Sequence, residues 1–168
     1  SHFKLIQGVI LLPIIIAFFW QPKVLSVDAA LDRGAIYELS SGKQQTNFNI
    51  NPENRTLIDW VRLFSANPEP SKYIGQKVKV EGFILPDQNL PSGQFLLSKF
   101  ILSCCTADAR PIGVPAFFID NSITLSQGTW IEASGEIVES NTANIRRAVI
   151  QINSFKKIPE PKNPYEYQ

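Results

Sequence analysis

One short stretch carries both thiols of the chain. Residues 103–111 read Ser103-Cys104-Cys105-Thr106-Ala107-Asp108-Ala109-Arg110-Pro111, and the 168-residue sequence has no other cysteine. Two adjacent thiols with a nearby carboxylate are the start of a thiophilic metal site, because thiolate suits soft ions such as zinc or copper(I). Cys104, Cys105 and Asp108 are the candidate metal ligands. A tetrahedral zinc site needs a further ligand, and no second cysteine pair or histidine lies nearby. Arg110 can lower a thiol pKa if it approaches, so Cys104, Cys105, Asp108 and Arg110 form the candidate loop for a ligand or partner. A disulfide within the pair is strained, since adjacent Cα atoms stand about 3.8 Å apart and bridged pairs usually need ~4.4 Å. The plainer reading makes one cysteine a small core residue and Asp108 a loop cap. Thiol catalysis is weaker still: the single histidine, His2, sits at the terminus, so no base is at hand and no catalytic residue is assigned.

The loop must be held by strands. From Tyr73 to Ile158 the pattern has period two: Val78, Val80, Gly82 and Ile84 alternate with Lys77, Lys79, Glu81 and Phe83, which predicts a strand with one buried face. Further strands are expected over Gln94–Ser103, Gly113–Asp120, Thr129–Glu139 and Arg147–Phe155, separated by turn signals such as Asp87-Gln88-Asn89 and Ser92-Gly93. The thiol pair then sits where the second strand ends. Neighbouring strand residues point to opposite faces, so one cysteine faces inward and the other outward unless the chain bends.

An internal echo sharpens the architecture. Gly75-Gln-Lys-Val78-Lys-Val80-Glu-Gly82-Phe-Ile84 matches Gly128-Thr-Trp-Ile131-Glu-Ala133-Ser-Gly135-Glu-Ile137 in apolar and glycine placement. In each, the second glycine falls on the inward face, where it permits the sharp coil of a tight barrel. First and fourth of five strands suit a mainly β fold, a five-stranded OB-like barrel over residues 73–158. A two-sheet sandwich is the alternative, for which five strands are lean.

An amphipathic helix is predicted ahead of the barrel, over residues 51–67. Asn51 can cap it, Pro52 fits the first position and Glu53 the first turn. Leu57, Trp60, Val61 and Phe64 form one apolar stripe, and Asn67-Pro68-Glu69-Pro70 stops the helix. Residues 22–50 read as a connector, with Gly34–Leu39 a possible edge strand. Residues 159–168, spaced by prolines, read as an extended tail lying along the barrel or on a partner.

The N-terminal segment, residues 3–21, reads as a transmembrane helix. Between Phe3 and Trp20 only Lys4 and Gln7 are strongly polar, and Leu5, Leu12 and Phe18 belong to a run with no polar face. As a helix the run spans roughly 27 Å, close to the ~30 Å hydrocarbon thickness. Lys4 can snorkel, Pro13 is a kink that membrane helices tolerate, and Trp20 suits an interfacial anchor. A cleaved signal peptide is disfavoured because no A-x-A site follows, and a buried core helix because it normally shows a polar edge. The sequence also lacks methionine, even at its start, so further structure is expected upstream.

Composition narrows the function. The chain is 44% hydrophobic and 18% charged, with 16 basic and 15 acidic side chains, so it lacks the basic surplus of a phosphate-neutralising nucleic-acid binder. Oligonucleotide stacking on exposed barrel aromatics (Phe83, Phe117 or Phe118) is therefore the least favoured alternative, and no nucleic-acid partner is expected.

The run Phe100-Ile-Leu-Ser-Cys104-Cys105-Thr-Ala-Asp108-Ala-Arg-Pro111, with Tyr73-Ile-Gly-Gln-Lys-Val-Lys-Val-Glu-Gly82-Phe before it and Ile158-Pro-Glu-Pro-Lys-Asn-Pro-Tyr165 after it, resembles the YcgQ-type family of permease subunits. Leu12-Pro13 through Pro22, then Asp32-Arg33-Gly34, resembles that family's last membrane span and its exit. Cys104, Cys105, Ala107, Asp108 and Ala109 match its Cys-Cys-x-Ala-Asp-Ala signature, with Thr106 at the variable position. The resemblance implies upstream membrane helices and a polytopic membrane partner, and it supplies no chemistry for the loop. The combined expectation is a non-enzymatic accessory subunit in contact with membrane lipid, an integral membrane protein with its barrel on the extracytoplasmic side. The alternative is a thiol-dependent domain that binds zinc or a similar soft ion and delivers it to a transporter.

Overall fold

A computed structural model describes residues 50–102, 109–142 and 145–167. The chain enters through a single 3-10 turn, Pro52–Asn54, then helix α1 (Leu57–Ala66) and a second 3-10 turn, Pro70–Lys72. Five long strands follow: β1 (Lys77–Leu85), β2 (Phe95–Leu102), β3 (Arg110–Phe118), β4 (Trp130–Thr142) and β5 (Ile145–Lys157). A short β6 (Tyr165–Tyr167) ends the order. No helix among these residues is long and apolar enough to cross a membrane, and the predicted span at 3–21 lies outside the described residues.

The expected helix is shorter than its signals suggested. Asn51 does accept a hydrogen bond from the Glu53 amide at 3.4 Å, but it caps only the 3-10 turn. Arg55 then takes an extended conformation (φ −75°, ψ 135°), and α1 starts afresh at a capping box. The Asp59 amide donates to Thr56 Oγ1 at 3.3 Å, and the Thr56 amide donates to Asp59 Oδ2 at 2.9 Å. Two orphan amides satisfied reciprocally outcompete a lone asparagine cap. The break also lets Arg55 turn inward: it is 8% exposed, donates to Gln76 Oε1 at 2.6 Å and lies 4.8 Å over the Trp60 ring. Burial lowers the Arg55 pKa, with Asp59 opposing that shift. At the other end, the Asn67 amide bonds back to the Leu63 carbonyl and the Tyr73 hydroxyl shares its hydrogen between the Leu63 and Asn67 carbonyls at 2.9 and 3.0 Å. Burial raises the Tyr73 pKa, so this cap stays protonated.

The strands close on themselves. β1 pairs antiparallel with β4 and β2, β2 with β3, β4 with β5, and β3 runs parallel to β5, giving the cyclic order 1-2-3-5-4-1. Five strands in that closed order, with one helix ahead of them, are consistent with the OB-like expectation. Alternation sorts the side chains. Val78, Val80, Leu97, Ile112, Val114, Ile131, Ile137, Ile150 and Ile152 form the interior, and α1 adds Leu57, Trp60 and Val61 to the same cluster. Phe83, Leu85, Leu96, Phe100 and Trp130 make a second cluster on the opposite face, covered by Leu90, Ile158 and Tyr165. Phe83 and Phe118 are therefore buried, at 0% and 6% exposure, and not the exposed stacking platform that the sequence allowed; each rests among other aromatic rings.

The paired glycines act as their placement suggested. A Cβ on Gly82 would lie 2.8 Å from the Ser98 carbonyl oxygen of β2. A Cβ on Gly135, beside the register irregularity in β4, would drive into the Gln151 carbonyl of β5. Both let one strand backbone cross close to another, which a small barrel requires.

The strand ends differ from expectation mainly at the hairpin of β4 and β5, which runs to Thr142 and Ile145. Its outer part pairs with itself beyond the barrel wall, so ladder bonds extend it where burial does not. β3 begins at Arg110, three residues before the expected Gly113, and admits Pro111 and Pro115. Proline is tolerated in a strand that has a free edge, and residues 110–115 pair with β2 alone among the described residues.

Candidate functional site

The cysteine loop joins β2 to β3, and Ser103, Cys104, Cys105, Thr106, Ala107 and Asp108 lie outside the described residues. What holds the loop is well defined. Ile101 pairs with Arg110 across the β2–β3 ladder, so the two ends of the loop leave the barrel side by side. Leu102 and Ala109, its flanking residues, are both buried. On the other edge of β2, β6 runs parallel with Phe100 opposite Tyr165 and Leu102 opposite Tyr167. The proline-spaced tail therefore lies along the barrel and ends beside the base of the loop. Lys99 and Glu166 reinforce this with an ion pair at 3.2 Å, both side chains largely shielded from solvent. Arg110, the one candidate site residue that is described, is exposed on the first position of β3. Among the described residues no three His, Cys, Asp or Glu side chains gather in a way that could hold a metal ion.

A second feature had no counterpart in the sequence reading. A groove of about 530 Å³ opens between α1, β3 and the outer part of β5, lined by Val61 and Phe64, by Gly113 and Pro115, and by Ile145 to Ala148. Its rim carries two consecutive arginines in different states. Arg146 is clamped: its Nε and one terminal nitrogen donate to the two Glu139 carboxylate oxygens at 2.6 and 3.0 Å, and Glu69 lies at 3.2 Å. The Arg146 bond to Glu139 raises the arginine pKa and lowers that of the carboxylate. Glu69 is lowered first by its bonds with Ser71 and then by Arg146. Arg147, half-buried, has no hydrogen-bond or ion-pair partner among the described residues. Ile145, two residues before it, is 51% exposed.

The sequence signal for this groove was present but weak. Pro111, Gly113 and Pro115 at alternate positions mark a strand edge that cannot pair fully, and Arg146-Arg147 read only as scattered charge. Gln94, just ahead of β2, donates to Ser140 Oγ in β4 at 3.1 Å, which ties the β1–β2 connection to the hairpin.

No curated protein matches the chain. A family model does match, from residue 32 through residue 168, taking in part of the connector, α1, the barrel and the tail. The chain thus belongs to the DUF1980 C-terminal domain family.

Proposed function

We propose that this chain is a non-enzymatic accessory subunit of a larger membrane complex, a permease partner of the YcgQ type, held to lipid by Phe3–Trp20. The single observation that carries the reading is an apolar run of membrane length in the same chain as a closed barrel, with a connector and helix α1 between them. The barrel interior is filled by side chains such as Leu97, Ile131, Ile137 and Ile150, each fully buried, which favours work at surfaces and loops over enclosure of a substrate. The barrel lies on the extracytoplasmic side, and nucleic acid is not among its partners.

The test uses the full chain in its own membrane. Carbonate washing leaves it with the lipid, and mild detergent extraction followed by affinity capture recovers a polytopic membrane protein in stoichiometric amount. Recovery of the folded chain in the aqueous phase without detergent ends the reading, and a strictly lone monomer in mild detergent removes the partner. Protease cleavage within the barrel in sealed vesicles of known orientation decides the side.

A second reading is favoured by one feature. The pairing of Ile101 with Arg110 gathers two thiols and a carboxylate into one short connection. In this reading Cys104, Cys105 and Asp108 take up zinc or another soft ion for transfer to the partner. Metal analysis of the purified chain beside Cys104→Ser and Cys105→Ser decides it. Stoichiometric metal lost in both variants supports carriage, and negligible metal in the parent protein disposes of it.

A further inference from the structure

Arg146 and Arg147 are consecutive in β5, so their side chains leave opposite faces of the hairpin. Arg146 lies opposite Asn141, on the face that carries Glu139, and Glu139 clamps it. Arg147 lies directly opposite Ser140, with Thr142 and Ile145 as the next pair towards the hairpin tip. On this second face the hairpin meets the connection between β1 and β2. Asn89 and Gln94 from the connection, with Ser140, Thr142 and Arg147 from the hairpin, supply the polar wall of a pocket of about 90 Å³. All five side chains can donate a hydrogen bond, and no carboxylate lines the pocket among the described residues. Ser140 Oγ already accepts from Gln94 at 3.1 Å, so its own hydrogen and the second amide hydrogen of Gln94 remain to be given. Asp87, the acid in the connection, accepts from the Asn89 amide and side chain at 2.7 and 3.0 Å. A half-buried guanidinium among neutral donors, with no carboxylate partner among the described residues, has the composition of an oxyanion site.

We propose that Arg147, with Ser140, Thr142 and Gln94, binds a phosphate group between the β1–β2 connection and the β4–β5 hairpin. Three neutral donors share the pocket with the arginine, and a phosphate ester offers three acceptor oxygens where a carboxylate offers two. The pocket is far below the ~300 Å³ at which cavities take whole small molecules, so it receives the charged group and leaves the rest of the ligand outside. The Gln94–Ser140 bond holds loop and hairpin together before a ligand arrives, which lowers the ordering cost of binding. Glu139 contributes indirectly: by engaging Arg146 on the other face it leaves Arg147 as the cation that faces the pocket. Dissolved phosphate and the phosphate head of a lipid present the same group, and the site stands with or without a membrane anchor.

Titration of the full chain in nonionic detergent, followed through its amide resonances, tests the proposal with two probes, inorganic phosphate and dihexanoyl phosphatidic acid. Saturable shifts are expected at Asn89, Gln94, Ser140 and Arg147 with at least one of them. Equal or tighter binding of inorganic phosphate identifies the free ion as the ligand, and tighter binding of the lipid identifies a head group. Arg147→Gln should weaken binding at least ~10-fold, and Thr142→Asp, which sets a carboxylate on the pocket wall, should do the same. Lys77→Gln makes the same change in net charge at a residue that does not line the pocket, and it should leave binding unchanged. The Thr142 variant decides the matter if loss of Arg147 disturbs the hairpin. The proposal is overturned by the absence of saturable shifts with both probes, by an equal loss in Lys77→Gln, or by acetate binding as tightly as phosphate.

Discussion

Two seams interrupt the barrel, and the chain treats them differently. Between β1 and β2 the pairing covers only Phe83–Leu85 with Leu96–Ser98, and β2 runs on without its first partner. β6 occupies that gap: Tyr165 packs 6.1 Å from Phe100 by ring centroid, and Lys99 pairs with Glu166. Between β3 and β5 the pairing is as brief, yet the described residues place a groove there, with helix α1 as its wall. Closing five long strands into a narrow barrel leaves short pairings at both the parallel and the antiparallel join. An edge is tolerable when a further strand covers it or when proline blunts it, and this molecule uses one remedy at each seam.

The sealed seam should be the more costly to disturb. Phe100 is fully buried beneath the tail, so Phe100→Ala is expected to destabilise the barrel by about 3–5 kcal/mol in chemical denaturation. A loss below about 1 kcal/mol would mean that the second cluster contributes little and that β6 is a passive cover. Gly135→Ala acts at the closed end of the open seam. A methyl there meets the Gln151 carbonyl, next to the stretch where β3 holds β5, and overpacking of this kind costs about 1–3 kcal/mol. Accelerated exchange confined to Ile150–Ile152 would show that the seam widens locally.

The smallest effect is electrostatic and belongs to the hairpin arm. Glu139 and Glu69 have folded pKa values below their ordinary ones, so their contribution is present above the usual carboxylate range. It is lost as pH falls through the lowered folded values, when protonation releases Arg146. Amide exchange in the outer hairpin, corrected for intrinsic rates, is expected to rise below about pH 4 and to stay flat between about pH 6 and 8. Glu139→Gln should remove most of that acid dependence, and an unaltered profile would show that the clamp does not hold the arm.

Much of this was legible from residues alone. Period-two alternation from Val78 to Ile84, turn signals between runs, and the echo of Gly82 in Gly135 place five strands and their inward faces, because side-chain direction in a strand depends only on position parity. The helix stripe of Leu57, Trp60, Val61 and Phe64 likewise follows from spacing. Its start did not, since Asn51-Pro52-Glu53 is a good local signal and the choice of Thr56 depends on where Arg55 can be buried. The candidate loop was legible as chemistry, through Cys104, Cys105 and Asp108, but not as geometry.

By itself the sequence determined the strand faces, the apolar N-terminal run and the single place where thiols and a carboxylate come together, since each of these rests on neighbours in the chain. Only the tertiary structure decided which seam β6 covers, that Phe83 and Phe118 are buried, and that Arg147 sits on a stretch of β5 paired with β4 alone among the described residues while Arg146 is held. Those outcomes depend on pairing between segments far apart in sequence, where backbone edges and volumes must match and local periodicity carries no information.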